Sequence, residues 1–456
     1  MDSASQTEVY EKLAPTPLWR VRFFVPGQKE EYWVSVDATT GAAVGFTRTL
    51  LDDAPGATVG RERALELART FLRAHAVFPS AAELKEQTEK DERARRDHTL
   101  VWEFPVAGGG EARLRQQVVV QGDAVGSWTR AVKIPEEWRR AREKETVLTV
   151  SLNWLKFPLV VGLVALALLL LVRKLRAGEV PWRFALLAGV VASGVTLVRM
   201  GLSLDAFWAR YPTSIPASAF TVVILISVFL AAVASFVAAA LVAALAGALY
   251  PAAANMLGAP ARRLLARDAL VGGAVALGLT LAFPTVRQIL RAAIPAGFMV
   301  GGVSWPVGIE SKSPFLFALC DAAFGAIVLA SLAAILAGVL ARYVKGTTLR
   351  LLLAALFVLS FLPTTARTPA EYLVAALSLA LAAGGALLLI RFFLRDNPLA
   401  WLWSAWFGLG GSAAVSYLEE PAASCRVTGA LIAGVVLASA VWLTLANRGA
   451  VQAPEA

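Results

Sequence analysis

The chain has 456 residues, 57% hydrophobic and only 17% charged, with a mean hydropathy of +0.62. That composition excludes a soluble globular protein and a disordered one, and is that of a polytopic membrane protein. The net charge of +10 does not point to nucleic acid: residues 1–156 carry 23 Lys/Arg against 23 Asp/Glu, and the whole excess, 20 against 10, lies among the apolar runs of residues 157–456. Basic residues placed between apolar runs follow the positive-inside rule, not the pattern of a groove for phosphates. Cys320 and Cys425 are too few for a disulfide framework or a thiolate metal site, and the only histidines are His75 and His98.

The first third reads as a soluble α+β domain. Residues 19–25 alternate as a half-buried strand, with Trp19, Val21, Phe23 and Val25 on one face. Residues 32–36 form a second strand, 37–41 a turn, and 43–46 a return. Residues 61–75 form a helix with Ala64, Leu65, Ala68, Phe71 and Leu72 on its apolar side. The densely charged stretch 81–96 reads as an exposed helix. Strands are predicted at 99–104, 112–121 and 126–134, with Gly122-Asp123 as one turn. His75 falls at a helix C-terminus, where the dipole favours it, and His98 reads as a surface turn.

The stretch EEYWVSVDATTGAAVGF carries Val36-Asp37-x-x-Thr40-Gly41, and it resembles the closing strands of a PepSY domain. GRERALELARTFL, LVWEF and ARLRQQVVVQGDAVGSW resemble a second, more divergent unit of the same kind. The likeness is best over residues 18–145. Together with WRVRFF, RRDHTLVWEF and VKIPEEWRR it resembles the soluble region that precedes a membrane block of the CPBP type (CAAX proteases and bacteriocin-processing enzymes). It implies a helix packed on an antiparallel sheet, and protein contact or peptidase inhibition. It also leads us to expect a helix, with a membrane anchor, upstream of Met1.

The soluble part, 1–145, ends in the charged stretch 136–145; after a connector (146–156) the membrane part runs from 157 to 446, followed by a polar tail at 447–456. Nine spans are predicted: 155–172, 184–202, 218–249, 269–284, 314–341, 349–363, 372–390, 398–417 and 427–445. The third contains 31 residues without a charge, about 46 Å of helix, so it tilts and projects from the bilayer or it breaks. Its ladder of Ala231, Ser235, Ala239, Ala243 and Gly247 permits a close helix approach. Ser313, Thr368 and Asn397, each followed by proline, are predicted helix caps, and Thr368 with Glu371 has the capping-box spacing. Residues 285–313 are expected to be interfacial or re-entrant.

Chemistry is sparse. CPBP-type metalloproteases are expected to show E-E-x-x-x-R and histidines on membrane helices. Here the Glu419-Glu420 pair is followed by Pro421, Arg426 lies too far along, and no histidine follows His98. We therefore expect no catalytic residue, no metal and no cofactor. Asp321 and Arg199 are the candidate functional residues within the membrane part; Asp321 either pairs with Arg199 or is protonated. Glu310 with Lys312 reads as an interfacial pair.

Three functions compete at this point. One is a non-catalytic bacterial membrane protein with an extracytoplasmic PepSY-like binding or regulatory domain. The second is a degenerate CPBP-type protease, and the third is a transporter or channel with Asp321 in its pathway. The expected partners are the lipid bilayer and a protein bound through the soluble domain, with no nucleic acid. Sorting the flanking charges gives thirteen Lys/Arg on one set of loops and six on the other, or eleven when the connector is included. This places the N-terminal domain outside the cytoplasm and the C-terminus inside.

Overall fold

The computed structural model describes residues 18–38, 40–76, 78–105, 113–133, 135–143, 147–256, 258–294, 297, 305–348, 366–394 and 396–446. The chain divides into two compact units: residues 1–144 with 209–223, and residues 145–208 with 224–456.

The first unit is built on one antiparallel sheet. Its strands are β1 (Leu18–Phe24), β2 (Glu31–Asp37), β3 (Ala43–Thr49), β4 (Glu83–Asp91), β5 (Arg96–Pro105), β6 (Arg113–Gln121) and β7 (Ala124–Lys133), in the order β1-β2-β3-β7-β6-β5-β4. Two meanders, β1–β3 and β4–β7, meet where β3 pairs with β7. Helix α1 (Arg61–His75) packs on one face, presenting the i, i+4 series Ala64, Ala68 and Leu72 to Leu100, Trp102, Val118, Val120 and Trp128. Burying Leu72 alone contributes roughly 1.5–3 kcal/mol. His75 occupies the last helical turn, as predicted, with Arg73 beside it there, and the His75 ring stacks on Phe71.

The Val36-Asp37-x-x-Thr40-Gly41 element is a tight reversal. Asp37 is buried, its Oδ1 accepts from the Thr40 amide at 3.3 Å and its carbonyl from Gly41 at 2.9 Å, and Gly41 has the positive φ (72°) that the turn requires.

Two expectations for this unit are corrected. Residues 83–91 form not an exposed helix but the edge strand β4, paired with β5 across a bulge between Leu84 and Glu86. An edge strand is solvated on its outer side, and charged side chains there prevent pairing with another chain; that is why the stretch has no apolar face. His98 is not in a surface turn. It is fully buried on β5, and its Nε2 donates to the Val59 carbonyl at 2.9 Å.

Glu103 on β5 is also buried, at 2% exposure, and accepts from Lys133 Nζ at 2.8 Å and Arg115 Nε at 2.9 Å. Burial pushes its carboxyl up, but the hydrogen bonds from Lys133 and Arg115 outweigh that, and it stays below its ordinary value of 4.5. The carboxylate therefore stabilises the fold above pH 4.5, and that stabilisation disappears as pH falls through the lower folded value. Acid unfolding followed by circular dichroism is expected to steepen below pH 4.5, and Glu103→Gln should lose that dependence.

In chain order α2 (Glu136–Glu143) follows the sheet. The helices α3 (Val147–Arg176), α4 (Trp182–Leu202), α5 (Leu204–Trp208), α6 (Ala217–Leu249), α7 (Pro251–Asn255), α8 (Ala259–Ala293), α9 (Pro314–Arg342), α10 (Pro369–Leu389), α11 (Pro398–Leu418) and α12 (Ala423–Leu445) come next. Among the described residues seven helices are long and apolar enough to cross a membrane: Thr149–Arg176, Trp182–Leu202, Ala217–Leu249, Leu265–Leu290, Pro314–Arg342, Pro369–Phe392 and Ala423–Leu445. This is a multi-pass membrane protein. Of the two other predicted spans, 349–363 lies outside the described residues. The other, 398–417, coincides with α11, which is rich in Trp, Gly and Ser, carries no charge and is not one of those seven.

α6 runs unbroken for 33 residues, about 50 Å. Its predicted ladder turns toward protein: Thr196 Oγ1 donates to Ser235 Oγ at 2.8 Å, and Ala243 and Gly247 are buried. α8 continues through Pro284 to Ala293, so residues 285–293 are helical and not re-entrant. One lost backbone hydrogen bond at a proline does not end a long, packed helix. The caps form as predicted, with Ser313, Thr368 and Asn397 side chains accepting from the amides of Leu316, Glu371 and Ala400.

The helix ends of the second unit sort onto two faces. On the first, Lys312 N donates to Leu202 O at 2.8 Å, the Thr149 and Tyr372 hydroxyls meet at 2.9 Å, and Tyr417 Oη donates to Val307 O at 2.9 Å. On the second, Asn397 Nδ2 donates to Leu265 O at 2.9 Å, Tyr250 Oη donates to Asp396 O at 3.2 Å, and Gly338 abuts Leu249. α9 thus ends on the second face and α10 begins on the first.

Candidate functional site

An arginine within an apolar helix is costly unless paired. Arg199 sits in the last turn of α4, and Asp321 two turns into α9. The structure brings them together: Arg199 Nη2 is 2.8 Å from Asp321 Oδ1, with side chains 28% and 37% exposed. The guanidinium also lies 5.0 Å from the ring centre of Phe317, one turn before Asp321. The Arg199 carbonyl accepts from the Ser203 amide at 3.1 Å and its hydroxyl at 3.0 Å, closing the helix end.

A second ion pair lies beside the first. Lys312 Nζ is 3.3 Å from Asp205 Oδ1, so the expected Glu310–Lys312 pair is not formed and Glu310 is exposed. The Lys312 amide bonded to Leu202 O brings its side chain within reach of α5. Both pairs are neutral overall, and together they tie the end of α4 to the entry of α9. This arrangement holds two helices in register.

Asp321→Ala leaves the guanidinium without its carboxylate. The half-exposed setting lies between an exposed pair, worth up to about 1 kcal/mol, and a broken buried one, costing about 3–5 kcal/mol. We expect a loss of about 2 kcal/mol, a smaller loss for Asp321→Asn, and partial recovery in the double variant with Arg199→Ala. A double-mutant cycle on thermal unfolding in detergent micelles reads this directly; strictly additive losses would show the pair to be inert.

Sequence reasoning missed a second polar cluster. Arg367 Nη1 donates to Thr149 Oγ1 at 3.3 Å, and Thr149 meets Tyr372. The buried Glu371 accepts from the Arg367 amide at 2.7 Å, so its carboxylate reaches one residue beyond the Thr368 amide that a capping box uses. The cap spacing was the visible signal; Thr149, more than two hundred residues away, gave none.

Glu419 caps the end of α11 and is exposed, while burial and the neighbouring Glu419 charge push the Glu420 carboxyl up. Arg426 Nη2 donates to the Pro421 carbonyl at 2.6 Å and pairs with neither glutamate. Among the described residues no group of three or more His, Cys, Asp or Glu side chains is placed to hold a metal ion.

The sheet unit offers a different surface. Residues directly opposite one another across the strands run Val21, Val34, Phe46, Trp128, Val118, Leu100. They share the face on which α1 lies, and α1 covers the part from Phe46, whose ring meets Phe71 of α1 at 5.9 Å, to Leu100. At the other end of the face Trp19 is 42%, Val21 40%, Phe23 57% and Tyr32 40% exposed. On the opposite face Arg22 pairs with Glu31 and donates to the carbonyls of Tyr211 at 2.6 Å and Ala209 at 3.2 Å. Tyr211 is fully buried, 5.4 Å from the Phe24 ring and 5.0 Å from Phe220. Segment 209–223 thereby packs on β1 of its own unit.

The chain matches no family model, no curated protein and no solved structure.

Proposed function

We propose that this is a non-catalytic protein of a bacterial plasma membrane. Its sheet unit is a PepSY-like binding or regulatory module held outside the cytoplasm. The observation that carries the reading is the uncovered apolar end of the sheet, Trp19, Val21, Phe23 and Tyr32. A contiguous apolar patch left in solvent marks an interaction surface. The paired state of Arg199 and Asp321 fits a helical anchor better than a proton or ion pathway. The orientation follows from Arg173, Lys174, Arg176, Arg183, Arg267, Arg342 and Lys345, which flank helix ends on the second face.

The test has two arms in living cells. Reporter fusions after Ala131 and Ala446 read sidedness, with the first expected outside and the second inside. A photo-crosslinking residue at position 32 is expected to join a discrete protein, and one at the lipid-facing position 229 is not. A cytoplasmic sheet unit, or crosslinks no different between the two positions, overturns the proposal.

A further inference from the structure

The two edges of the sheet are built differently. β4 carries Glu83, Lys85, Glu86, Glu89, Lys90 and Asp91 together with a bulge, the usual protection against a stray strand. β1 has no bulge and no proline, and pairs in register with β2 over all seven residues. Among the described residues its only backbone partner is β2, so the outward amides and carbonyls form an open ladder about 23 Å long.

The two faces of β1 define what fits the ladder. Trp19, Val21 and Phe23 stand exposed on one face. On the other, Arg22 is neutralised by Glu31, but Arg20 lies over the Trp33 ring at 5.0 Å with no carboxylate partner among the described residues. A strand beside β1 therefore meets apolar side chains on one face and an unneutralised guanidinium on the other.

From this we propose that β1 accepts an extended segment of a partner protein as an eighth strand, one that alternates apolar and acidic residues. This rests on the reading of the sheet unit as a binding module. Main-chain hydrogen bonds supply the attachment and alternate side chains the selectivity. A second copy of this chain is a poor occupant. Antiparallel self-pairing over five residues or more that keeps the apolar row matched sets Arg20 opposite Arg22, or Arg20 or Arg22 opposite its own copy, and like charges directly opposite destabilise a ladder.

The probe is a fluorescein-labelled heptapeptide of alternating valine and glutamate, titrated by anisotropy against the full chain in detergent micelles. Three controls accompany it: the same composition with the valines contiguous, alternating valine and lysine, and the first peptide with N-methylated amides. We expect the valine–glutamate peptide to bind at least tenfold tighter than each control. Arg20→Glu, an exposed substitution, should reverse the preference toward the lysine peptide. Equal binding of the contiguous or N-methylated peptide, or an unchanged preference in Arg20→Glu, overturns strand addition. If the peptide fails while position-32 crosslinks persist, only strand addition falls; loss of both removes the binding-module reading as well.

Discussion

Gly338→Val is expected to destabilise the helical unit by about 3 kcal/mol, at the upper end of what overpacking costs. A Cβ on Gly338 would stand 2.7 Å from Leu249 Cβ and 2.8 Å from the Leu249 carbonyl oxygen. The obstacle is largely backbone, so α9 and the end of α6 have to separate. Gly338 ends the series Ala318, Ala322, Ala326, Ala330 and Ala334, all buried along one side of α9. Separation at one rung loosens those above it, because association in lipid depends on this close contact. Gly194→Val and Gly434→Val, where an added Cβ meets nothing within 4 Å, serve as controls and should change little. The comparison is read from thermal unfolding in micelles; equal losses at all three positions would mean that helix propensity and not packing sets the effect.

Trp102→Ala is expected to cost about 3–5 kcal/mol, a large part of the 5–15 kcal/mol that holds a typical domain together. Trp102 is 1% exposed, packs under α1 and meets the Phe78 ring edge-on at 5.8 Å. Its loss leaves a cavity between sheet and helix that rigid neighbours cannot fill. Trp19→Ala removes the same side chain from the uncovered end of the same face, and should cost less than about 1 kcal/mol. Urea unfolding followed by circular dichroism separates the two. A Trp19 variant as unstable as the Trp102 variant would show that the β1 patch is core and not surface.

Local periodicity made much of this fold legible. The bounds of α1 were readable because Ala64, Ala68 and Leu72 repeat every four residues, and the caps at Ser313, Thr368 and Asn397 because each acts within three residues. The Arg199–Asp321 pair was readable because both charges stand out against apolar sequence. β4 was not, since an edge strand and a solvated helix both tolerate charge at every position. Nor was His98, whose partner Val59 lies in another part of the chain. The ladder of alanines on α9 follows the same spacing as the one read on α6, and is more fully buried. Alanine richness concealed it.

The helix α11 has a consequence for how the chain is made. It packs against α8, α9 and α12, and two of its polar side chains bond to different neighbours. Asn397 Nδ2 donates to the Leu265 carbonyl of α8, and Trp406 Nε1 donates to Ser439 Oγ of α12 at 3.0 Å. A nascent α11 entering lipid alone would face hydrocarbon with indole, hydroxyl and amide groups unpaired, which is unfavourable. α8 and α9 are synthesised before it and α12 after it. Stable insertion of α11 therefore awaits the last helix, and a chain released before residue 423 would leave its most enclosed helix without the partner that completes its hydrogen bonding.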